Sequence, residues 1–478
     1  MIEIAVKRIE EVCSVRVLAA DPERICRGCV IDSRLVERDS IFVAFPGERV
    51  DGNDFALSAI EAQAGCVVLT REPSADVLEA AARTGCAVLL SDDPTEFLLD
   101  LAHEFRMSLP CTVIGVTGSI GKTTTKDSLA ALLSARYRVH VTAGNYNNLI
   151  GMPLTILAAP RDTEVMVLEM GMDGFGQIER LSQCARPDYA VITKIGTSHI
   201  GFLGSRENIA RAKAEILAGM DASGTCERGG APALVLNGED DFTPFIIEQF
   251  ARPAGIEVIL CGTSEGDDVH CGAIELDDHG CPLFTLTFAD GSHIDTKLAI
   301  PGAQSVTNAL FAAALAHRLG IDAATIDERF GALQITGRRT QVRDAACGAR
   351  IIDDSYNAAP ESMAAALDLL CSLPATGRRM ALLGEMGELG GEGERLHALT
   401  GAYAAAKKLD ELVCVGGDNA RCMAEAARLL GMPEERVHTV SDTEAAIGLV
   451  AGDLRPDDLV LVKGSRFVGL DRFVEEVC

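Results

Sequence analysis

The chain runs to 478 residues, 48% of them hydrophobic, with 43 Lys and Arg against 70 Asp and Glu and a formal charge of −27 at pH 7. That length and apolar content suit two to four domains, each large enough for its own core. So acidic a composition excludes nucleic acid as a partner, because a duplex is held by clustered Lys and Arg that displace its counterions; any phosphate chemistry has to sit in a locally positive pocket.

The opening MIEIAVKRIEEVCSV lacks a basic segment followed by an apolar run, and no stretch reaches the about 18 apolar residues needed to span a bilayer. The chain is therefore expected to be soluble and cytoplasmic. Its 16 cysteines are scattered, as at Cys66, Cys86, Cys184 and Cys371, and the nearest grouping, Cys26 and Cys29 with Cys13 before them, lacks histidines at zinc spacing. Buried, reduced thiols are the expectation.

Residues 1–109 alternate short apolar runs (IFVAF, GCVVLT, CAVLLS) with helical stretches such as FALSAIEAQA, which predicts a small α/β domain ending near Ser108-Leu109-Pro110. A second block, 110–335, opens with the strand CTVIGVTG and helix KDSLAALLSARY. Strands follow at VMVLEMG, YAVITKIG, APALVLN and EVILCG, then helices QSVTNALFAAALAHRLG and ATIDERFGAL. It reads as a mostly parallel sheet with crossover helices. A third block, 336–478, has strands at RIIDDSY, MALLGEM, ELVCVGG and DLVLVKG between alanine-rich helices, a Rossmann-like βαβ pattern. There is no internal repeat and no low-complexity segment.

At the head of the second block, VIGVTGSIGKTTTKDSLAALLS looks like a phosphate-binding loop but breaks the spacing G-x-x-x-x-G-K-[ST], since Val116 stands where the first glycine belongs. Strand, loop and helix still converge backbone N–H groups and a helix dipole on one anion site. Gly118 and Gly121 allow the tight backbone, Lys122 reaches outer phosphates, and the Thr123 hydroxyl suits Mg²⁺. Glu169 ends the strand VMVLEMG at the sheet edge where open α/β sheets bind ligands, and is a metal-ligand candidate. Taken alone, His199 in ITKIGTSHIG reads as a satisfied loop histidine, and Lys213 in ENIARAKAEIL as a solvated helical lysine.

Ten segments in fixed order change that reading: TGSIGKTTTK, TAGNYNNLIGMPLTIL, LEMGM, ITKIGTSHIGFLGS, AKAEIL, GRR, DDSYNAAPESM, LGEMGELG, LVKGS and, ahead of them, IDSRLVERDSIFVAFPGERVDGNDF. Together they resemble the Mur ligase family, whose phosphate loop lacks the first glycine. The resemblance implies three domains, for the UDP-sugar, for ATP and for further ligands. It also implies an ATP-dependent amide ligase that activates a carboxylate as an acyl phosphate. The nearest branch joins D-Ala-D-Ala to UDP-N-acetylmuramoyl-tripeptide for cell-wall synthesis, acting as a monomer without membrane insertion.

By the same resemblance Lys122 and Asn145 serve catalysis, and Gly118, Ser119, Gly121, Thr123 and Thr124 hold the phosphates of ATP. Two Mg²⁺ ions are implied, on Thr123 and Glu169 and on His199, with Lys213 carbamylated by CO₂ to offer the second ion an oxygen. Asn308 would contact adenine, Arg338 or Arg339 the phosphates, and Asp354, Tyr356 and Asn357 the nucleotide. Ser33 and Arg34 would face the uridine diphosphate, and Asn147 and Asn148, with Asn145, the reacting carboxylate.

Three positions depart from the family pattern: Asn53 for a usual histidine, Ala359 for a second asparagine, and Lys194 for asparagine, which puts a cation near the metals, so that either an acid pairs with it or the second-metal geometry differs. Rivals fare worse. The diamino-acid-adding branch carries D-N-P-R where this chain has Asp418-Asn419-Ala420-Arg421; a switch or motor ATPase needs a Walker B aspartate or N-K-x-D; a dead scaffold would have lost Lys122, Glu169, His199 and Lys213.

Overall fold

The computed structural model describes residues 1–47, 49–224, 226 and 230–478, so Glu48 of the first motif lies outside the described residues. Among the described residues, three sheets and a small ribbon make up the strand framework. The first sheet runs, edge to edge, Arg16–Ala19, Ala87–Leu90, Cys66–Leu69, Ile41–Val43, Cys29–Val30. It is parallel except for its first pair. The three predicted apolar runs supply its inner strands, buried on both faces as parallel strands require. The ribbon Glu3–Ala5 with Ile25–Arg27 is an element the sequence reading did not identify.

Helix Pro94–Met107 joins this sheet to the next. Asp93 caps it by accepting from the Thr95 and Glu96 N–H groups, and Pro94 occupies the first turn, where no amide proton is needed. Its apolar face (Phe97, Leu98, Leu101, Phe105) packs on helices Gly151–Ala158 and Gln177–Ala185, and Arg106 Nε donates to the Ala185 carbonyl at 2.9 Å. The first sheet is thereby anchored to the second through a shared apolar core.

The central sheet has ten strands. Seven are parallel, in the order Val139–Val141, Val165–Glu169, Thr112–Thr117, Tyr189–Ile192, Ala233–Asn237, Glu257–Gly262, Val269–Cys271. The other three, Glu275–Leu276, Pro282–Thr287 and His293–Lys297, form an antiparallel meander that the sequence reading missed. Their period-two alternation, as in PLFTLT, marks a sheet with one wet face, whereas the parallel strands read as continuous apolar runs. The third sheet runs Gln341–Asp344, Arg350–Asp353, Leu459–Lys463, Arg379–Gly384, Glu411–Val415, Val437–Val440, parallel but for its first strand. All 16 cysteines are free thiols, most of them buried, with Cys347 and Cys478 exposed. No helix among the described residues is long and apolar enough to cross a membrane.

Candidate active site

Strand Thr112–Thr117 lies between Val165–Glu169 and Tyr189–Ile192, so three strand ends open side by side at the carboxyl edge of the sheet. Val116 is fully buried in register with Glu169 and Val191, which explains why no glycine stands there: the position belongs to the strand, not to the loop. The loop proper begins at Gly118, φ 144°, where an added Cβ would lie 2.0 Å from Thr193 Oγ1. Gly121, φ 89°, caps helix Lys122–Leu133 and leaves a Cβ only 2.2 Å from Asn308 Oδ1. Ser119 N–H donates to the Lys194 carbonyl at 2.8 Å, tying the loop to the neighbouring strand end.

Lys122 Nζ donates to the Gly118 carbonyl at 2.8 Å. Burial lowers its pKa from the ordinary lysine value, against the pull of Glu169, and the Arg339 charge lowers it further. Thr123 Oγ1 donates to Glu169 Oε2 at 2.9 Å, and Asn147 Nδ2 donates to Glu169 Oε1 at 2.7 Å, so both oxygens of a carboxylate only 2% exposed are engaged at the helix start. Lys213, in helix Arg206–Ala214, is completely buried and its Nζ has no hydrogen-bond partner. Burial first, then the Lys122 charge, drives its pKa well below the ordinary value, so the amine is held toward its neutral form. That corrects the reading of an isolated solvated lysine.

His199 takes a left-handed backbone, φ 66°, ahead of the short helix Ile200–Leu203, and its Nδ1 lies 2.7 Å from Glu388 Oε2 of the third block. The adjoining His199 ring holds the Glu388 carboxyl below its usual range, although Nδ1 makes no aligned hydrogen bond with it. Among the described residues no three His, Cys, Asp or Glu side chains converge as a ready metal cluster. The hard oxygens of Thr123 and Glu169 beside a phosphate loop nevertheless fit Mg²⁺, which takes one or two protein ligands and completes its shell with water and phosphate oxygens. The buried, partnerless Lys213, its pKa pushed down, fits a lysine carbamate in the same way.

A cleft of about 1030 Å³ gathers Ser119, Gly121 to Thr124, Asn145, Asn147, Asn148, Glu169, His199 and Asn308 from the central block with Arg339, Asp354, Tyr356 and Asn357 from the third. Asn308 is placed against the loop, its Oδ1 accepting from Thr125 Oγ1 at 3.3 Å. Asn148 Oδ1 accepts from the Gly151 N–H at 2.8 Å, so its side chain also closes the turn before helix Gly151–Ala158. The two adjacent arginines part company. Arg339 stacks on Tyr356, 4.3 Å from the ring centre, in the cleft wall, whereas Arg338 pairs with Asp471 and Glu475 away from the cleft, so of the two alternatives only Arg339 lines the cleft. Ser33 and Arg34 are likewise outside it: Arg34 is exposed on the first block and paired with Asp32 at 2.6 Å.

Lys194 lines the cleft with an exposed side chain, and an acid does stand near it: its charge reaches Asp241, whose carboxyl is held low chiefly by a hydrogen bond from Arg206. Among the cleft residues that escaped the sequence reading, three make notable contacts. Lys463, 2% exposed, donates to Asp354 and to the Asn357 carbonyl; Glu361 accepts from Thr197 Oγ1 at 3.1 Å; and Glu388 meets His199. The motifs LVKGS, NAAPESM and GEMGELG contain all three, but nothing local marks their partners. A second cavity of about 560 Å³ adjoins the cleft, running from Lys122, Asn145 and His199 to Ser465, Arg466 and Phe467.

Residues 26–106, 116–316 and 338–466 match, in turn, the models described as Mur ligase family, catalytic domain; Mur ligase middle domain; and Mur ligase, glutamate ligase domain. The chain is 36% identical over 481 residues to the UDP-N-acetylmuramoyl-tripeptide--D-alanyl-D-alanine ligase of Bacillus subtilis, covering 100% of this chain and 99% of that protein. Among solved structures it resembles a MurF crystal structure from Acinetobacter baumannii (TM-score 0.86, 28% identity, 100% and 99% of the two chains). It also resembles the MurF ligase of Thermotoga maritima in complex with ADP (TM-score 0.79, 27% identity, 94% and 96%).

Proposed function

This chain belongs to the Mur ligase family, and from that premise we propose that it uses ATP to join D-Ala-D-Ala to UDP-N-acetylmuramoyl-tripeptide, yielding the pentapeptide precursor of peptidoglycan. The observation that carries the reading is the convergence on one cleft of a phosphate loop, a carboxylate with both oxygens engaged, and nucleotide-facing residues of a second block, in a chain alike end to end to a ligase of that name.

The chemistry needs activation because a carboxylate carbon is electron-rich and oxide is a poor leaving group. The tripeptide carboxylate oxygen attacks the γ-phosphorus, the bond to the β-phosphate oxygen breaks, and ADP leaves an acyl phosphate. The dipeptide amine then adds to the acyl carbon, the C–O bond breaks with its electron pair leaving on phosphate, and the amine proton passes to the departing phosphate. Lys122 exchanges its Gly118 carbonyl for the γ-phosphate oxygens and offsets the charge that builds on them. Asn145, in the wall common to both cavities, orients the reacting carboxylate. Thr123 and Glu169 would hold one Mg²⁺ and His199 with a Lys213 carbamate a second; bound there, the ions neutralise phosphate charge. The neutral Lys213 amine is the form that adds CO₂. Asn308, Arg339, Asp354, Tyr356 and Asn357 are assigned to the nucleotide, and Ser33 and Arg34, on the first block, to the uridine diphosphate end.

In this reading blocks 1–109, 110–335 and 336–478 are three domains, and the enzyme is a cytoplasmic monomer. The test is phosphate release measured with ATP and each acceptor alone and together. Release that requires both the muramoyl tripeptide and D-Ala-D-Ala is expected; release indifferent to the dipeptide would overturn the assignment.

A further inference from the structure

The loop after strand Arg379–Gly384 leaves the third sheet and closes on the turn that carries His199. Three contacts make the junction. Glu388 Oε2 lies 2.7 Å from His199 Nδ1, and the Gly201 N–H donates to the Glu388 carbonyl at 3.0 Å. Gly201 and Gly390 meet backbone to backbone, so closely that a Cβ on Gly201 would stand 2.6 Å from Gly390 N and one on Gly390 2.8 Å from Gly201 Cα. His199 (φ 66°) and Glu388 (φ 64°) both adopt the left-handed backbone that side chains other than glycine rarely take. Two residues in an uncommon conformation are thus set against each other, on either side of a contact that excludes every side chain larger than hydrogen. A loose surface ion pair requires none of this.

We propose that Glu388 is a positioning residue for His199. At 2.7 Å the carboxylate makes no aligned hydrogen bond with Nδ1, and a small turn of the ring brings the Nδ1–H onto it; that bond fixes the ring plane and the tautomer and leaves Nε2 as the nitrogen with a free lone pair for a cation in the cleft. An imidazole ligand needs one ring nitrogen without a proton, and a carboxylate on the other nitrogen is what ensures it. Because Glu388 belongs to the third block and His199 to the central one, the histidine is set only while the two blocks are docked. The cation site and the closure of the cleft are therefore one event. This rests on the reading of His199 as a holder of a divalent ion.

The experiment uses the full chain with Mn²⁺ in place of Mg²⁺ and a non-hydrolysable ATP analogue, free Mn²⁺ being counted by electron paramagnetic resonance. Loss of a carboxylate behind a metal-bound histidine weakens binding by about 10–100-fold. E388A should lose that much affinity for one of two ions, E388D should recover part of it, and the unfolding temperature without metal or nucleotide should stay at the wild-type value. G201A keeps the carboxylate but places a methyl group against Gly390, and should show the same loss. Nitrogen-15 spectra of the His199 ring, taken without metal, should show Nδ1–H in the wild type and a tautomer mixture in E388A. If H199A loses one Mn²⁺ while E388A and G201A bind both as the wild type does, or if the ring tautomer is unchanged in E388A, the positioning role is refuted. If H199A itself keeps both ions, the reading of His199 fails instead, and the proposal with it.

Discussion

Replacing Lys213 by methionine should make the resting protein more stable and the enzyme inert. The side chain is completely buried, its Nζ has no partner, and burial together with Lys122 disfavours the ammonium. A buried polar group without a hydrogen bond costs about 1–3 kcal/mol, and a swap to an apolar side chain of similar length costs less than about 1.5 kcal/mol in repacking. The expected balance is a gain of about 1 kcal/mol, or roughly 2–4 °C in the unfolding midpoint of a block of this size. The measurement is thermal unfolding in CO₂-free buffer without nucleotide, beside phosphate release in bicarbonate buffer, where K213M should fall by more than about a hundredfold. Bicarbonate should narrow the stability gap, since only the wild-type amine can take up CO₂. A K213M protein that melts several degrees lower and keeps its turnover would refute the argument, and would make Lys213 an ordinary core residue.

Three further outcomes follow from the same geometry. K122A should lose more than about a hundredfold in phosphate release while the fold is retained, because the cation that the proposed mechanism sets on the γ-phosphate is gone. G118A should lower stability by about 1–3 kcal/mol in chemical denaturation and weaken ATP-analogue binding, since φ 144° suits glycine and the new methyl group displaces the Thr193 hydroxyl from the Thr117 and Ile120 carbonyls. His397 is buried between the Gly393 carbonyl (2.7 Å from Nδ1) and the Met386 N–H (2.8 Å from Nε2), and burial holds its pKa below the ordinary value. The unfolded chain therefore takes up the proton first as pH falls, so this contribution to stability is complete above pH about 6.5 and is lost below it. Between pH 7.5 and 5.5 the unfolding midpoint of the wild type should drop more than that of H397Q; equal slopes would contradict the assignment.

The elements that the sequence determines by itself are those whose physics is local. The strand at 112–117, the loop at 118–121 and the helix at 122–133 follow from an apolar run, two glycines and a helix-forming stretch within about twenty residues, and Glu169 is found by the same rule at the end of the next run. The parallel sheets are legible because strands buried on both faces have continuous apolar sequences; the meander at 275–297, with one wet face and short strands, is not. Tertiary structure decides what no local pattern carries. Arg338 and Arg339 are neighbours in one chain segment, yet one pairs with a distant helix and the other stacks in the cleft, because their side chains leave the backbone toward different surroundings. Lys213 sits in a helix whose sequence is rich in charge, and only the packing around it buries the amine and lowers its pKa well below the ordinary value. The meeting of His199 with Glu388 joins two loops far apart in the chain. Each loop is set by the end of its own sheet, and the contact exists only because two glycines let those sheets approach backbone to backbone.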